Sequence, residues 1–358
     1  MSKIYVLLIF AFGLAFAFAL IAERNADELC VRGDAKPGYC MRLRNCSFVK
    51  ELVNKKQITK ADRTYVRQSK CPSRRNNTRY VCCEEKEKID QAIDNLYKED
   101  CGRFETELIN NGHEIQLMSR PWMALLYFKT EDGIKGFTCG GTLINKRYVL
   151  TAAHCFHKQE LLSVRLGEHN IKKEIDCKGL NFCAPPVEDI NIERIFVHEK
   201  YSNRTHHYDI ALVKLSRDVV FKRSISPICL PTSKILQQKL NNITKFYVTG
   251  WGKTEFADFS DTPMETSINR TDLVVCRNSF RGRRIDSTHI CAGGSQGDSC
   301  NGDSGGPLSY IVYFKDSQRF VQYGVVSFGS HNCSNALPGV YTNVKSYMRW
   351  IAYKIATK

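Results

Sequence analysis

The chain has 358 residues, 43% of them hydrophobic and 25% charged, enough for a large core and a small accessory module. Its 16 cysteines argue for cross-links in an oxidising compartment and against a zinc ribbon, whose repeated Cys-x-x-Cys spacing is missing. The net charge of +15 is concentrated in one short segment, and we expect no nucleic-acid partner.

Residues 4–22 are almost wholly apolar behind Lys3. Ala17, Ala19 and Ala22 are small residues at the end of the run, so 1–22 reads as an export signal cut near Ala22 rather than an uncleaved anchor. No later segment has the character of a membrane span. Residues 30–83 then crowd Cys30, Cys40, Cys46, Cys71, Cys82 and Cys83 into a stretch too short to bury much apolar surface. Spacing alone does not choose their pairing. This stretch holds 14 Lys and Arg against 3 Asp and Glu. It is either a solvated face or a docking face for a polyanionic surface or acidic partner. Residues 84–100 reverse the balance, with 3 basic against 7 acidic residues. Ile89, Ile93 and Leu96 have helical spacing, but a flexible acidic linker is the favoured reading of 84–100, with 84–108 as a whole the linker and activation segment.

From Pro121-Trp122-Met123 to about residue 345, short apolar runs alternate with turn residues, the pattern of an all-β domain. Tyr347, Trp350, Ile351 and Ile355 fit a closing amphipathic helix. Sequons at Asn76, Asn203, Asn242 and Asn269 permit glycosylation; those at Asn45 and Asn332 each precede a cysteine and are discounted.

Three stretches carry chemistry. Gly302-Asp303-Ser304-Gly305-Gly306-Pro307 offers a serine between glycines, where the backbone turns sharply and the N–H groups of Gly302 and Ser304 converge. Thr151-Ala152-Ala153-His154-Cys155 offers a base after an apolar strand, and Tyr208-Asp209-Ile210-Ala211-Leu212 a carboxylate in an apolar run. The chain order is His, Asp, Ser. His206 and His207 lie in a polar stretch and read as loop residues.

On these motifs, residues 109–358 resemble a chymotrypsin-family serine protease and residues 30–83 a CLIP module. The whole chain is similar to arthropod CLIP-domain proteases. The 108–123 region and Cys183-Ala184-Pro185-Pro186 bring it nearest the Grass and Easter group. The resemblance implies two six-stranded antiparallel β-barrels with the active site between them, a C-terminal helix, and a small, mainly β module in front. It implies the pairs Cys30–Cys82, Cys40–Cys71, Cys46–Cys83, Cys101–Cys229, Cys139–Cys155, Cys177–Cys183, Cys276–Cys291 and Cys300–Cys333. Ser304 is then the nucleophile, His154 the general base and acid, Asp209 its orienting carboxylate, and Gly302 and Ser304 the oxyanion donors. Asp298 becomes the floor of an S1 pocket for Arg or Lys, with Gly329 and Gly339 in its wall. Glu168, with Asn170 and Asp176, matches a loop where relatives bind calcium; no cofactor is expected in catalysis.

The same likeness places activation at Leu108-Ile109, the new Ile109 ammonium pairing with Asp303. Leu108 is a departure from the usual Arg, so an Arg-specific enzyme does not activate itself there. The partners it implies are protein substrates (a protease zymogen or cytokine-like precursor), an upstream protease and serpin-type inhibitors. It implies an extracellular immune cascade in haemolymph (Toll activation or melanisation). A non-catalytic adaptor is the alternative.

Overall fold

A computed structural model describes residues 29–55, 57–69, 71, 80–104, 113–179, 181–252, 259–294, 303–329 and 337–357. The chain divides into two compact units, one holding the N-terminal residues to Ile93 together with Ala352–Lys358, the other Asp94–Ile351.

In the first unit three short strands, β1 (Leu29–Val31), β2 (Pro37–Arg42) and β3 (Tyr80–Cys83), pair antiparallel in the order β1-β2-β3. Disulfides Cys30–Cys82, Cys40–Cys71 and Cys46–Cys83 supply most of the buried centre. The module is not mainly β: helices Ser47–Asn54 and Lys60–Gln68 fill the span between β2 and β3. The second is started by a capping box in which the Thr59 hydroxyl accepts from Asp62 N–H at 3.1 Å and the Asp62 carboxylate from Thr59 N–H at 3.0 Å.

The flexible-linker reading of 84–100 is also corrected. Residues Glu85–Lys98 form a helix. Ile89 and Ala92 are buried with Ala352, which gives the apolar stripe a partner that composition alone could not reveal. Glu87 accepts a hydrogen bond from Phe48 N–H at 3.2 Å, and Lys98 pairs with Asp94 one turn earlier at 2.6 Å.

The second unit is built of two β-barrels. A two-residue strand, β4 (His113–Glu114), leads in. The first barrel comprises β5 (Met123–Thr130), β6 (Lys135–Leu143), β7 (Tyr148–Thr151) and β8 (Gln159–Leu166). Then comes a hairpin of β9 (Cys177–Lys178) and β10 (Phe182–Cys183), clamped by Cys177–Cys183. The barrel is completed by β11 (Glu188–Ile190), β12 (Ile192–Val197) and β13 (Ala211–Leu215). The order is β11-β8-β5-β6-β7-β13-β12. Only Asn191 separates β11 from β12, so together they act as one bent strand that pairs with β8 at one end and β13 at the other. That brings the ring close to closure with six staves. Leu126, Val149, Leu150, Val164, Leu166 and Leu212 are all buried, so the staves are covered on both faces.

The second barrel consists of β14 (Lys245–Gly250), β15 (Met264–Thr271), β16 (His289–Ala292), β17 (Pro307–Phe314), β18 (Ser317–Phe328) and β19 (Gly339–Asn343). The order β14-β17-β18-β19-β16-β15 returns to β14, closing the ring, and β4 adds on outside β15. Phe246, Val248, Leu308, Val321, Tyr323 and Tyr341 form its core. The closing helix is Val344–Thr357, with Tyr347, Met348 and Ile351 buried. Among the described residues no helix is long and apolar enough to cross a membrane.

Candidate active site

β7 and β13 are antiparallel neighbours with Thr151 opposite Ala211. The chain leaves β7 into a short 3-10 turn, Ala153–Phe156, which carries His154; it enters β13 just after Asp209. The register alone therefore brings these two side chains to the same end of the barrel. His154 Nδ1 lies 2.7 Å from Asp209 Oδ2, and Asp209 Oδ1 accepts from His154 N–H at 2.8 Å.

Asp209 is fully buried. Two further hydroxyls hold it: Ser327 Oγ donates to its Oδ2 at 2.5 Å, and Thr342 Oγ1 to its backbone oxygen at 2.7 Å. Burial by itself would raise this carboxyl, but His154 and the Ser327 hydroxyl hold it below the ordinary range. Burial likewise disfavours a charged His154; the charge and hydrogen bond of Asp209 outweigh that and raise it above the usual histidine range. With Asp209 ionised, Nδ1 is the donor and Nε2 is left as the basic nitrogen.

Ser304 precedes β17 of the other barrel, and its backbone is held against the first. Its carbonyl oxygen accepts from Gly140 N–H of β6 at 2.8 Å, while Gly305 N–H donates to Val326 O of β18 at 3.0 Å. Cys155 Sγ, bonded to Cys139 and so without a proton, sits 3.9 Å from that carbonyl. Gly305 has φ +80°, and a Cβ there would collide with Thr151 Oγ1 and Gly140 O. Glycine is thus required after the serine for both conformation and space. Asp303 Oδ1 accepts from Gly252 N–H at 2.9 Å, and its carboxylate fills the room that a Cβ on Gly250 or Gly252 would need.

Gly329 follows the end of β18, and Gly339 is buried in β19 opposite Ala292. Asp298, Gly302, Cys300, Cys333, Leu108, Ile109, Asn76 and the 1–22 run lie outside the described residues. Disulfides Cys101–Cys229, Cys139–Cys155 and Cys276–Cys291 are formed in this unit. Asn203, Asn242 and Asn269 are exposed.

Glu168, Asn170 and Asp176 lie together, but their oxygens are turned to protein donors. Glu168 takes Arg165 at 3.2 Å and His169 N–H at 2.8 Å; Asp176 takes Asn170 N–H at 3.1 Å; Asn170 Oδ1 takes Lys172 N–H at 3.0 Å. The Arg165 guanidinium supplies the countercharge a calcium ion would bring, so these residues do not fit the ion as they stand.

Two participants escaped the sequence reading. His206 is not a solvated loop residue: its ring stacks on His154, centroids 5.8 Å apart and planes 13° from parallel. Arg283 reaches its Nδ1 at 3.1 Å and lies over the Phe328 ring at 4.2 Å, forming a shelf beside the His-Asp pair. The other is Ser327, whose hydroxyl supports Asp209. The spacing of three between His206 and Asp209 was a signal for neither, because the stacking depends on how the intervening turn folds.

A family model described as Trypsin matches residues 109–351, and one described as Regulatory CLIP domain of proteinases matches residues 30–83. "Serine protease grass" of Drosophila melanogaster is 37% identical, over 93% of this chain and 92% of that protein. "Melanization protease 1" of the same organism is 32% identical over 90% of this chain and 92% of that protein. The crystal structure of the Drosophila Grass clip serine protease of the Toll pathway superposes with a TM-score of 0.72 at 35% identity, covering 92% of this chain and 98% of that one.

Proposed function

Because the chain belongs to the trypsin family of serine proteases and carries a CLIP domain, we propose that it is a secreted zymogen whose active form cleaves proteins after Arg or Lys in an extracellular immune cascade. One observation carries the catalytic part: His154 and Asp209 are locked at 2.7 Å on one barrel, and the carbonyl of Ser304 is held by Gly140 of that barrel while the next residue, Gly305, is held by Val326 of the other.

Ser304 Oγ attacks the scissile carbonyl as His154 Nε2 takes its proton; the same proton then passes to the leaving amine. Asp209 keeps Nδ1 protonated and stabilises the imidazolium between those steps. Gly302 and Ser304 N–H groups hold the oxyanion, each such donor worth about 3 kcal/mol in the transition state. Asp298 at the base of the S1 pocket selects the cationic side chain, since a buried carboxylate needs a counter-ion.

Activation is cutting at Leu108-Ile109 by a protease that prefers bulky apolar residues. The new Ile109 ammonium pairs with Asp303, which already stands against β14, and that pair orders the oxyanion hole. We assign no step to calcium and infer that Arg165 holds the Glu168 loop in its place.

The cascade setting is drawn from the relatives, named for melanisation and for the Toll pathway. Downstream zymogens or cytokine-like precursors, an upstream activator, and serpin-type inhibitors are the partners that setting supplies. The basic CLIP domain would meet a polyanionic surface or an acidic protein. A positional-scanning peptide library with the cleaved protein tests the specificity: preference for Arg or Lys at P1 supports it, and any other preference removes Asp298 from its role.

A further inference from the structure

Away from the His-Asp pair, three side chains converge that the proposed reaction does not use. His207 Nε2 lies 3.2 Å from Asp286 Oδ2, and His289 Nδ1 lies 3.5 Å from Asp286 Oδ1. One ligand atom from each of the three fits within 4.8 Å of the others. In a tetrahedral site with donors about 2.1 Å from the ion, the donors stand about 3.4 Å apart; the two measured separations, one to each oxygen of the Asp286 carboxylate, are close to that. Both imidazoles are buried, at 8% and 2% side-chain exposure, while Asp286 is 30% exposed and forms an open rim. A ring of two imidazoles and a carboxylate is a borderline donor set that suits zinc rather than calcium or magnesium. The other three-residue groups of this kind among the described residues contain cysteines already bonded in disulfides.

The surroundings are compatible with an ion. Thr288 Oγ1 donates to Asp286 Oδ1 at 2.6 Å and fixes the carboxylate from outside, the usual arrangement behind a metal ligand. Asp286 N–H makes only a long contact to His289 Nδ1, 3.3 Å, which the ion would replace. Arg284, 3.3 Å from Asp286 Oδ2, is 74% exposed and free to swing into solvent. His207 itself is held inward by its turn: His206 and Tyr208 on either side both have positive φ, 53° and 60°.

We propose that His207, Asp286 and His289 bind one divalent transition-metal ion of the zinc class, bracing the turn that carries Asp209 against the segment leading into β16. The ion takes both imidazole nitrogens and the Asp286 carboxylate, and its remaining position faces the open rim with a water. The brace acts where it matters for the neighbouring pair, since His206 stacks on His154 and Asp209 follows His207 by two residues.

The test uses the untagged full-length protein, stripped with chelator and titrated with zinc chloride, reading thermal unfolding and equilibrium dialysis. Uptake of one ion per chain with a rise in Tm of a few degrees is expected. Magnesium chloride is expected to give no shift. Asp286→Asn and His289→Asn should weaken uptake at least the roughly 10- to 100-fold that loss of a supporting partner alone costs. His206→Asn, which tolerates the positive φ of that turn, should leave it unchanged. Metal-free unfolding of each variant checks that it is folded; Asp286→Asn, at the exposed rim, carries the test should His289→Asn not fold. No uptake by the wild type, undiminished uptake by Asp286→Asn, or loss in folded His206→Asn (which places the ion at His154 and His206) overturns the proposal.

Discussion

The imidazole of His206 lies flat against that of His154, 5.8 Å between centroids, and only one of the two is poised to carry charge. Burial pushes His206 down to about 4; Asp209 opposes that, and Arg283 and His154 add to it. The neighbour of the proposed general base is therefore neutral at physiological pH, and His154 can take a proton without a second cation against its face.

That asymmetry has a pH signature. Between about pH 4 and 6.5 the unfolded chain protonates residue 206 while the folded one does not, so this group's stabilisation is complete above 6.5 and falls as pH drops toward 4. His206→Phe keeps a ring but cannot titrate. Urea unfolding at pH 4.5 and 6.5 should show a smaller difference in the variant than in the wild type; equal differences would sink the idea.

Ser327 donates to a fully buried carboxylate at 2.5 Å. Ser327→Ala removes one hydrogen bond from an ion that has no water to replace it, which costs about 1.5–3 kcal/mol. The expected outcome is a clearly lower Tm together with reduced kcat and little change in KM. A variant with unchanged Tm would mean that the hydroxyl does not support Asp209.

Arg120 and Glu265 form a bidentate pair at 2.6 and 2.7 Å, 3% and 2% exposed, with Thr249 donating to the same carboxylate at 2.8 Å. Arg120 also lies over Phe320 at 4.4 Å. Removing one partner strands the other charge in the interior, so Arg120→Ala should destabilise by about 3–5 kcal/mol. Arg120→Met with Glu265→Leu should recover much of that, because both charges are gone. Chemical denaturation of the single and double variants decides it; a double variant no better than the single contradicts the charge argument.

Gly252 donates to Asp303 Oδ1 at 2.9 Å and has no room for a Cβ beside that carboxylate. Gly252→Ala should fold, since the site lies at the edge of the barrel. After cleavage at Ile109 it should lose at least about 10-fold in kcat/KM, the carboxylate being displaced from the amine it is proposed to meet. Full activity in cleaved Gly252→Ala would argue against Asp303 as the receiving acid.

Much of the architecture was legible because it rests on local pattern. Alternating apolar runs mark β5 to β8 and β14 to β19, and the apolar strand before His154 and the apolar run after Asp209 are the paired β7 and β13. What stayed hidden depends on distant partners. Helix Glu85–Lys98 looked like a solvated linker because its stripe is covered by Ala352, far along the chain. Arg120 and Glu265 are 145 residues apart, and nothing in either neighbourhood announces the pair. His206 sits in a polar run, yet a turn with positive φ at 206 and 208 folds it onto His154. The single closing strand split at Asn191 follows from barrel curvature, which no period-two pattern encodes.

The most direct measurement is labelling of Ser304 by a fluorophosphonate probe before and after limited chymotrypsin digestion, with mass spectrometry of the new N-terminus. We expect little labelling of the intact chain, strong labelling once the catalytic domain begins at Ile109, and none in Ser304→Ala. A correctly cut protein that begins at Ile109 and still resists the probe would contradict the assignment of His154, Asp209 and Ser304 as a working triad.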